Sequence, residues 1–184
     1  SLRFNFADSA YLSRTPGSTG NQRTWTVSFW YKRTDMGAYT SDPYIFAGDA
    51  DNTARMAIGI DRNDNLWIRQ WDGSSHDPNL ITSQVFRDPS AWQHILIAMD
   101  TTISTPSASR TKIYVNGSQV TAFSTETYPT ENLDTAINSN TRHDIMRGDA
   151  YHSGYLAEFY LIDGTALGPE SFGETDAATN QWKP

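Results

Sequence analysis

Polar and apolar residues alternate along most of the chain in short runs, and no segment carries a helical stripe. Leu2 to Phe6 alternates with period two, as a half-buried strand does. Thr24 to Arg33 is the longest such run. It sets Trp25, Val27, Phe29 and Tyr31 on one face and Thr26, Ser28, Trp30 and Lys32 on the other. The same reading predicts strands over 44–48, 54–60, 66–71, 80–86, 92–100, 112–115, 119–120, 143–146 and 155–163. Asp61-Arg62-Asn63-Asp64-Asn65 suits a hairpin turn. Asn116-Gly117 is the strongest hairpin signal, because both central residues of that turn need positive φ. The pattern predicts an all-β, two-sheet antiparallel β-sandwich. Its core is expected to hold Phe4, Val27, Phe29, Phe46, Trp92, Val115, Phe159 and Leu161.

Two stretches, 101–109 and 123–141, read as long polar loops, which in a compact domain are functional or mobile. With no internal repeat and no linker, residues 1–184 read as one domain. A tail from about residue 168 either lies along a sheet or reaches a partner.

Charge and composition narrow the function. Fourteen Lys and Arg against 21 Asp and Glu give a net charge of −7, so nucleic acid is not an expected partner. No apolar run is long enough to cross a bilayer, and no signal peptide is visible, so membrane insertion is not expected. Cysteine is absent, which removes disulfide and thiolate chemistry and favours assembly in a reducing cytosol.

Three ordered blocks carry a family resemblance: Thr24 to Lys32 with its internal Trp30, Ile113-Tyr114-Val115-Asn116-Gly117, and Gly154 to Leu167. Together they resemble the laminin-G-like domains of the concanavalin-A-like lectin/glucanase superfamily, which implies a jelly roll. Such domains mostly bind sugars or proteins and seldom catalyse. The opening Ser1 to Asn5 with Tyr11 to Thr15, and the ending Ser171 to Asp176 with Gln181 to Pro184, are similar to laminin-G-like domains in structural proteins of bacteriophages. That resemblance implies a virion protein assembled in the bacterial host cytoplasm, in a tail fibre or as a head decoration. It would touch other virion proteins, copies of itself and a host-surface glycan. The resemblance also implies a calcium site at the sandwich rim. Its candidates are Asp49 and Asp51 in one loop and Asp61 and Asp64 in another, with Asp149 in a third. With 16 aspartates in the chain, turn capping explains the same residues.

Catalysis finds little support. The catalytic relatives use closely spaced carboxylates on one strand, and retaining hydrolysis needs two carboxyl groups about 5 Å apart. None of the five glutamates has a strand partner two residues away that would place both in a groove. Glu158 and Asp163 are expected on opposite sides of an unbroken strand. His94 alternates with Trp92 and Leu96 and reads as a hydrogen-bonded strand histidine. The pairs His143-Asp144 and Asp149-His152 are a weaker hint of a transition metal. Arg147-Gly148-Asp149 carries no weight as a recognition tripeptide.

Aromatics make up 12% of the chain, and some are hard to place in a core. Trp67, Arg69 and Trp71 share one strand face. They form either a stacking platform for a sugar or another subunit, or a sheet face from which Arg69 reaches solvent. Trp30, Tyr151 and Tyr155 are expected to extend that patch. Three readings result: a non-catalytic virion module that binds a host glycan or protein, a capsid-stabilising protein without a ligand, and, far behind, a glycoside hydrolase.

Overall fold

The computed structural model describes residues 1–34, 36, 42–48, 55–148 and 151–184. Within them the strands are β1 (Leu2–Phe4), β2 (Leu12–Arg14), β3 (Thr24–Arg33), β4 (Tyr44–Gly48), β5 (Met56–Ile60), β6 (Asn65–Trp71), β7 (His76–Val85), β8 (Gln93–Asp100), β9 (Thr111–Val115), β10 (Ser118–Gln119), β11 (Phe123–Thr127), β12 (His143–Ile145), β13 (Gly154–Asp163), β14 (Glu174–Thr175) and β15 (Trp182–Lys183). The helices among the described residues are single 3-10 turns, none long and apolar enough to cross a membrane. One sheet has the order β1-β13-β3-β8-β9-β10 and the other β11-β7-β6-β5-β4-β12-β2, while β14 and β15 form a small hairpin. Neighbouring strands pair antiparallel, so the fold is the two-layer sandwich that the alternation predicts.

The layers meet through period-two faces. Trp25, Val27, Phe29 and Tyr31 of β3 are all buried and oppose Met56, Ile58, Ile60, Leu66, Ile68 and Leu80 of the other sheet. Each such side chain, fully buried, contributes roughly 1.5–3 kcal/mol. Of the remaining expected core residues, Phe4, Phe46 and Val115 are buried, and Phe159 and Leu161 pack against the core half-buried. Trp92 is a correction. It lies just outside β8, half-buried, with its ring 6.4 Å from Tyr155 rather than between the sheets.

Loop reading needs the most revision. The stretch 123–141 contains β11 and then runs across one end of the sandwich, where Thr135 and Ile137 are fully buried. The Trp25 indole N–H donates to Thr135 Oγ1 at 2.9 Å, so this segment plugs the core. Arg110 ties it to the 101–109 loop by donating to the carbonyls of Ile103, Ser104 and Pro129. β2 and β11 are edge strands too short and polar for their alternation to register.

The tail lies along a sheet. Thr26 Oγ1 on the outer face of β3 donates to the Thr165 carbonyl and accepts from the Leu167 amide, each at 2.7 Å. Farther on, the Trp182 indole N–H donates to His94 Nδ1 at 3.0 Å. Asn116 and Gly117 take the positive φ values the hairpin requires, 49° and 78°. Gly117 has a second duty, since a Cβ there would run into the Trp182 ring.

Candidate functional site

Trp67, Arg69 and Trp71 do share the outer face of the seven-stranded sheet, but they are not equivalent. Trp67 is only 2% exposed. Its ring lies across β5 at Gly59, where a Cβ would sit 2.7 Å from indole Cζ2. Tyr44 meets it edge-on at 5.1 Å, and the Arg69 guanidinium stands 4.9 Å above it. Trp67 is therefore a pedestal and not an exposed platform. An isolated glycine inside the β5 pattern was the sequence signal for so close an approach. Arg69 is held in place, with Nε donating to Asn79 at 3.2 Å and Nη1 paired with Asp42 at 3.1 Å. Trp71 is half-buried, and its ring lies 4.9 Å from that of the exposed His76. Burial, then the Arg69 charge, holds His76 below its ordinary pKa, so it is neutral at pH 7.

The other rings do not extend this patch. Trp30 and Tyr155 project from β3 and β13 on the outer face of the opposite sheet. Tyr151 lies by the β2 edge, bridged to Arg147, whose guanidinium is 4.6 Å from the Tyr11 ring and 5.9 Å from that of Tyr151. Parity within one strand was legible; which sheet each strand joins was not.

Trp30 lines a groove of about 630 Å3 with Glu158, Tyr160, Glu170, Phe172 and Glu174, over a floor of Ser28 and His94. No two of these glutamates are period-two neighbours on one strand, so strand spacing does not bring them together. The tail turns back over the sheet and delivers Glu170 and Glu174 to a residue on β13. A bulge between Ala157 and Tyr160, with Glu158 at φ 49°, breaks the strand and turns Glu158 outward while Phe159 points into the core. Asp163 lines a separate apolar cleft of about 730 Å3 between the sheets, with Leu12, Phe46, Phe159 and Leu161.

The other three histidines are structural. His94 is 1% exposed, hydrogen-bonded through Nε2 to Ser28 at 2.8 Å and through Nδ1 to Trp182, and burial lowers its pKa to about 4. His143 accepts from the Asn138 amide and bonds the Thr141 carbonyl, so both ring nitrogens are engaged. His152 packs on Tyr31, and burial lowers its pKa to about 3.

Asp61 and Asp64 do not fit a calcium site. Asp61 Oδ1 accepts from the amides of Asn63 and Asn65, closing the β5–β6 turn. Asp64 is clasped by Arg33 at 2.6 Å and Arg87 at 2.7 Å, which hold its carboxyl below the usual range despite the opposing effect of burial. Asp49, Asp51 and Asp149 lie outside the described residues. Among the described residues no group of three or more His, Asp or Glu side chains is placed to hold a metal ion.

A laminin-G-type family model described as the concanavalin A-like lectin/glucanases superfamily matches residues 6–171. The chain belongs to that superfamily. Solved structures of the same architecture include the Ruminococcus gnavus IT-sialidase CBM40 bound to α2,3-sialyllactose, with TM-score 0.53 and 14% identity over 89% of this chain and 95% of that one. Domain 4 of AbnA, a GH43 extracellular arabinanase from Geobacillus stearothermophilus, in complex with arabinotriose, gives 0.54 and 17% over 84% and 66%. The binding domain of botulinum neurotoxin serotype D gives 0.58 and 13% over 87% and 38%. At these identities the likeness is one of fold. No curated protein matches the sequence.

Proposed function

We propose that this domain is a non-catalytic surface module of a bacteriophage particle, a head-decoration or tail-fibre protein that binds a glycan of the host surface. The observation that carries the binding part is the arrangement on the outer face of the seven-stranded sheet. The Trp71–His76 ring pair stands beside an Arg69 already fixed by Asn79, Asp42 and the Trp67 ring. An aromatic face for a sugar's C–H side next to oriented donors is how polar ligands are fixed, and fixing Arg69 in advance lowers the entropy lost on binding. Superfamily membership and neighbours of the same fold solved with sialyllactose and arabinotriose support a saccharide ligand. The virion setting rests on the resemblance of Ser1 to Asn5 with Tyr11 to Thr15, and of Ser171 to Asp176 with Gln181 to Pro184, to phage structural domains, and the cysteine-free composition agrees with it. Of the calcium candidates, Asp61 holds the β5–β6 turn and Asp64 pairs with Arg33, while Asp49 and Asp51 lie outside the described residues.

A purely capsid-stabilising role is favoured by a different observation. Exposed Leu2, Phe6, Tyr11 and Leu12 gather on one side. There β1 pairs only with residues 154–156 of β13, leaving the rest of that edge open beside the 730 Å3 cleft. A glycan array on the purified domain, together with reconstitution of particles with and without it, separates the readings. Array binding that falls at least tenfold in Trp71→Ala and Arg69→Ala, about 1.4 kcal/mol or more, supports the first. Particles that weaken without the protein while the array stays blank support the second. Cleavage of a bound glycan overturns both.

A further inference from the structure

The groove on the outer face of the six-stranded sheet is not part of the Trp71 surface, and the glycan reading above makes no use of it. We propose that it is a second saccharide site that takes an amino-bearing sugar chain and rejects acidic ones. Carboxylates alone would be an ordinary solvated face. Here they rim a concavity walled by rings from distant parts of the chain. Trp30 packs on His94 at 5.3 Å on one side, and Tyr160, 44% exposed, packs on Phe172 at 5.8 Å on the other. The rings lining this 630 Å3 groove offer stacking surface for flat, C–H-rich rings of about sugar size.

The charges in the groove select the ligand. Glu158 accepts from the Tyr160 hydroxyl at 2.5 Å, which fixes its direction and leaves its charge in place. Neither Glu158 nor Glu170 pairs with a cation among the described residues, and Lys183, which pairs with Glu174 at 3.3 Å, is shared with Asp176 at 3.2 Å. His94, with both ring nitrogens bonded, adds no positive charge at neutral pH. Carboxylates only accept hydrogen bonds, so the groove matches hydroxyls and, more strongly, a protonated amine. An anionic sugar would meet the carboxylates of Glu158 and Glu170 with no cation paired to either among the described residues.

The test titrates the full chain at pH 6 with a glucosamine tetramer, cellotetraose and 3′-sialyllactose, by calorimetry and by the Trp30 indole N–H resonance. The glucosamine tetramer is expected to bind about tenfold more tightly than cellotetraose, a gap of about 1.4 kcal/mol that closes in 0.5 M salt. Sialyllactose should leave Trp30 unmoved. Glu158→Gln should erase the amine preference, and Tyr160→Ala should weaken both neutral and amino ligands. Trp71→Ala should change nothing here, which keeps failure at this site distinct from failure at the other. Tyr160 is exposed, so its truncation should leave the fold intact, and Glu158→Gln tests the charge argument even if Tyr160→Ala perturbs the fold. The proposal is overturned if Trp30 is unmoved by both tetramers, if cellotetraose binds equally well, if sialyllactose binds in the groove, or if a tetramer is cleaved.

Discussion

On the outer face of the seven-stranded sheet, Trp67 is covered by its own neighbours, with Arg69 above it and Tyr44 at its edge. On the outer face of the six-stranded sheet, Thr26, Ser28 and Leu96 are just as thoroughly buried, but part of their cover is the tail, which arrives from the far end of the sequence. In the first case the cover comes from the same sheet, Arg69 two positions along β6 and Tyr44 from β4, and forms with it. In the second, burial depends on a strap that can be loosened while both sheets stay intact. Outward-facing residues thus become buried by two physically different routes, and the routes should separate under mutation.

The largest effect is expected where cover is local. Trp67→Ala removes a ring packed on Gly59, Tyr44 and Arg69, and it leaves the Arg69 guanidinium without its stacking partner. Chemical denaturation should show a loss of about 3–5 kcal/mol, as for other buried aromatic truncations. A loss below about 1 kcal/mol would mean that the face has no packed centre. Loosening the strap should cost less. Trp182 is half-buried, wedged against Gly117 and bonded to His94, so Trp182→Ala should cost about 2 kcal/mol. Its signature is spatial. Hydrogen exchange should speed up at Leu167 and in the β14–β15 hairpin, while amides of β5 and β6 keep their protection. Uniform loss of protection across both sheets would mean that the tail is no separable strap.

What the sequence disclosed follows the same division. Period-two faces within a strand are local, so the inward set of β3 and the shared face of Trp67, Arg69 and Trp71 could be read from spacing alone. Relations created by the tail and by sheet order are not local. The meeting of Glu158 with Glu170 and Glu174 needs a bulge in β13 and a return of the chain over the sheet. Alternation encodes neither. The separation of Trp30 and Tyr155 from Trp71 depends on which sheet each strand joins. Trp92 reads as core for its large ring, but its parity with His94 and Leu96 puts it on the outer side, just past the point where pairing with β3 ends.

Acid also divides the two faces. His94 beneath the strap has its pKa lowered to about 4 by burial, whereas the exposed His76 on the other face is lowered by partial burial and by Arg69. A histidine with a depressed folded pKa contributes stability that is complete above its unfolded value near 6.5 and is lost as pH falls through the folded value. For His94 that window runs from about 6.5 down to 4, and the deeper His152 extends it toward 3. Carboxylates such as Asp64 and Asp176, held below 3.8, add their loss only beneath that value. Thermal stability should therefore decline as pH falls from 6.5 to 4 and continue to decline below. The His94 ring should titrate together with the Trp182 indole N–H resonance, because protonation at Nδ1 removes the acceptor that Trp182 uses. His76 should titrate at higher pH and leave Trp182 unmoved. If His94 instead titrates near 6.5 with no response from Trp182, the strap is not fastened through that ring, and the contrast between a local cover and a detachable one loses its chemical basis.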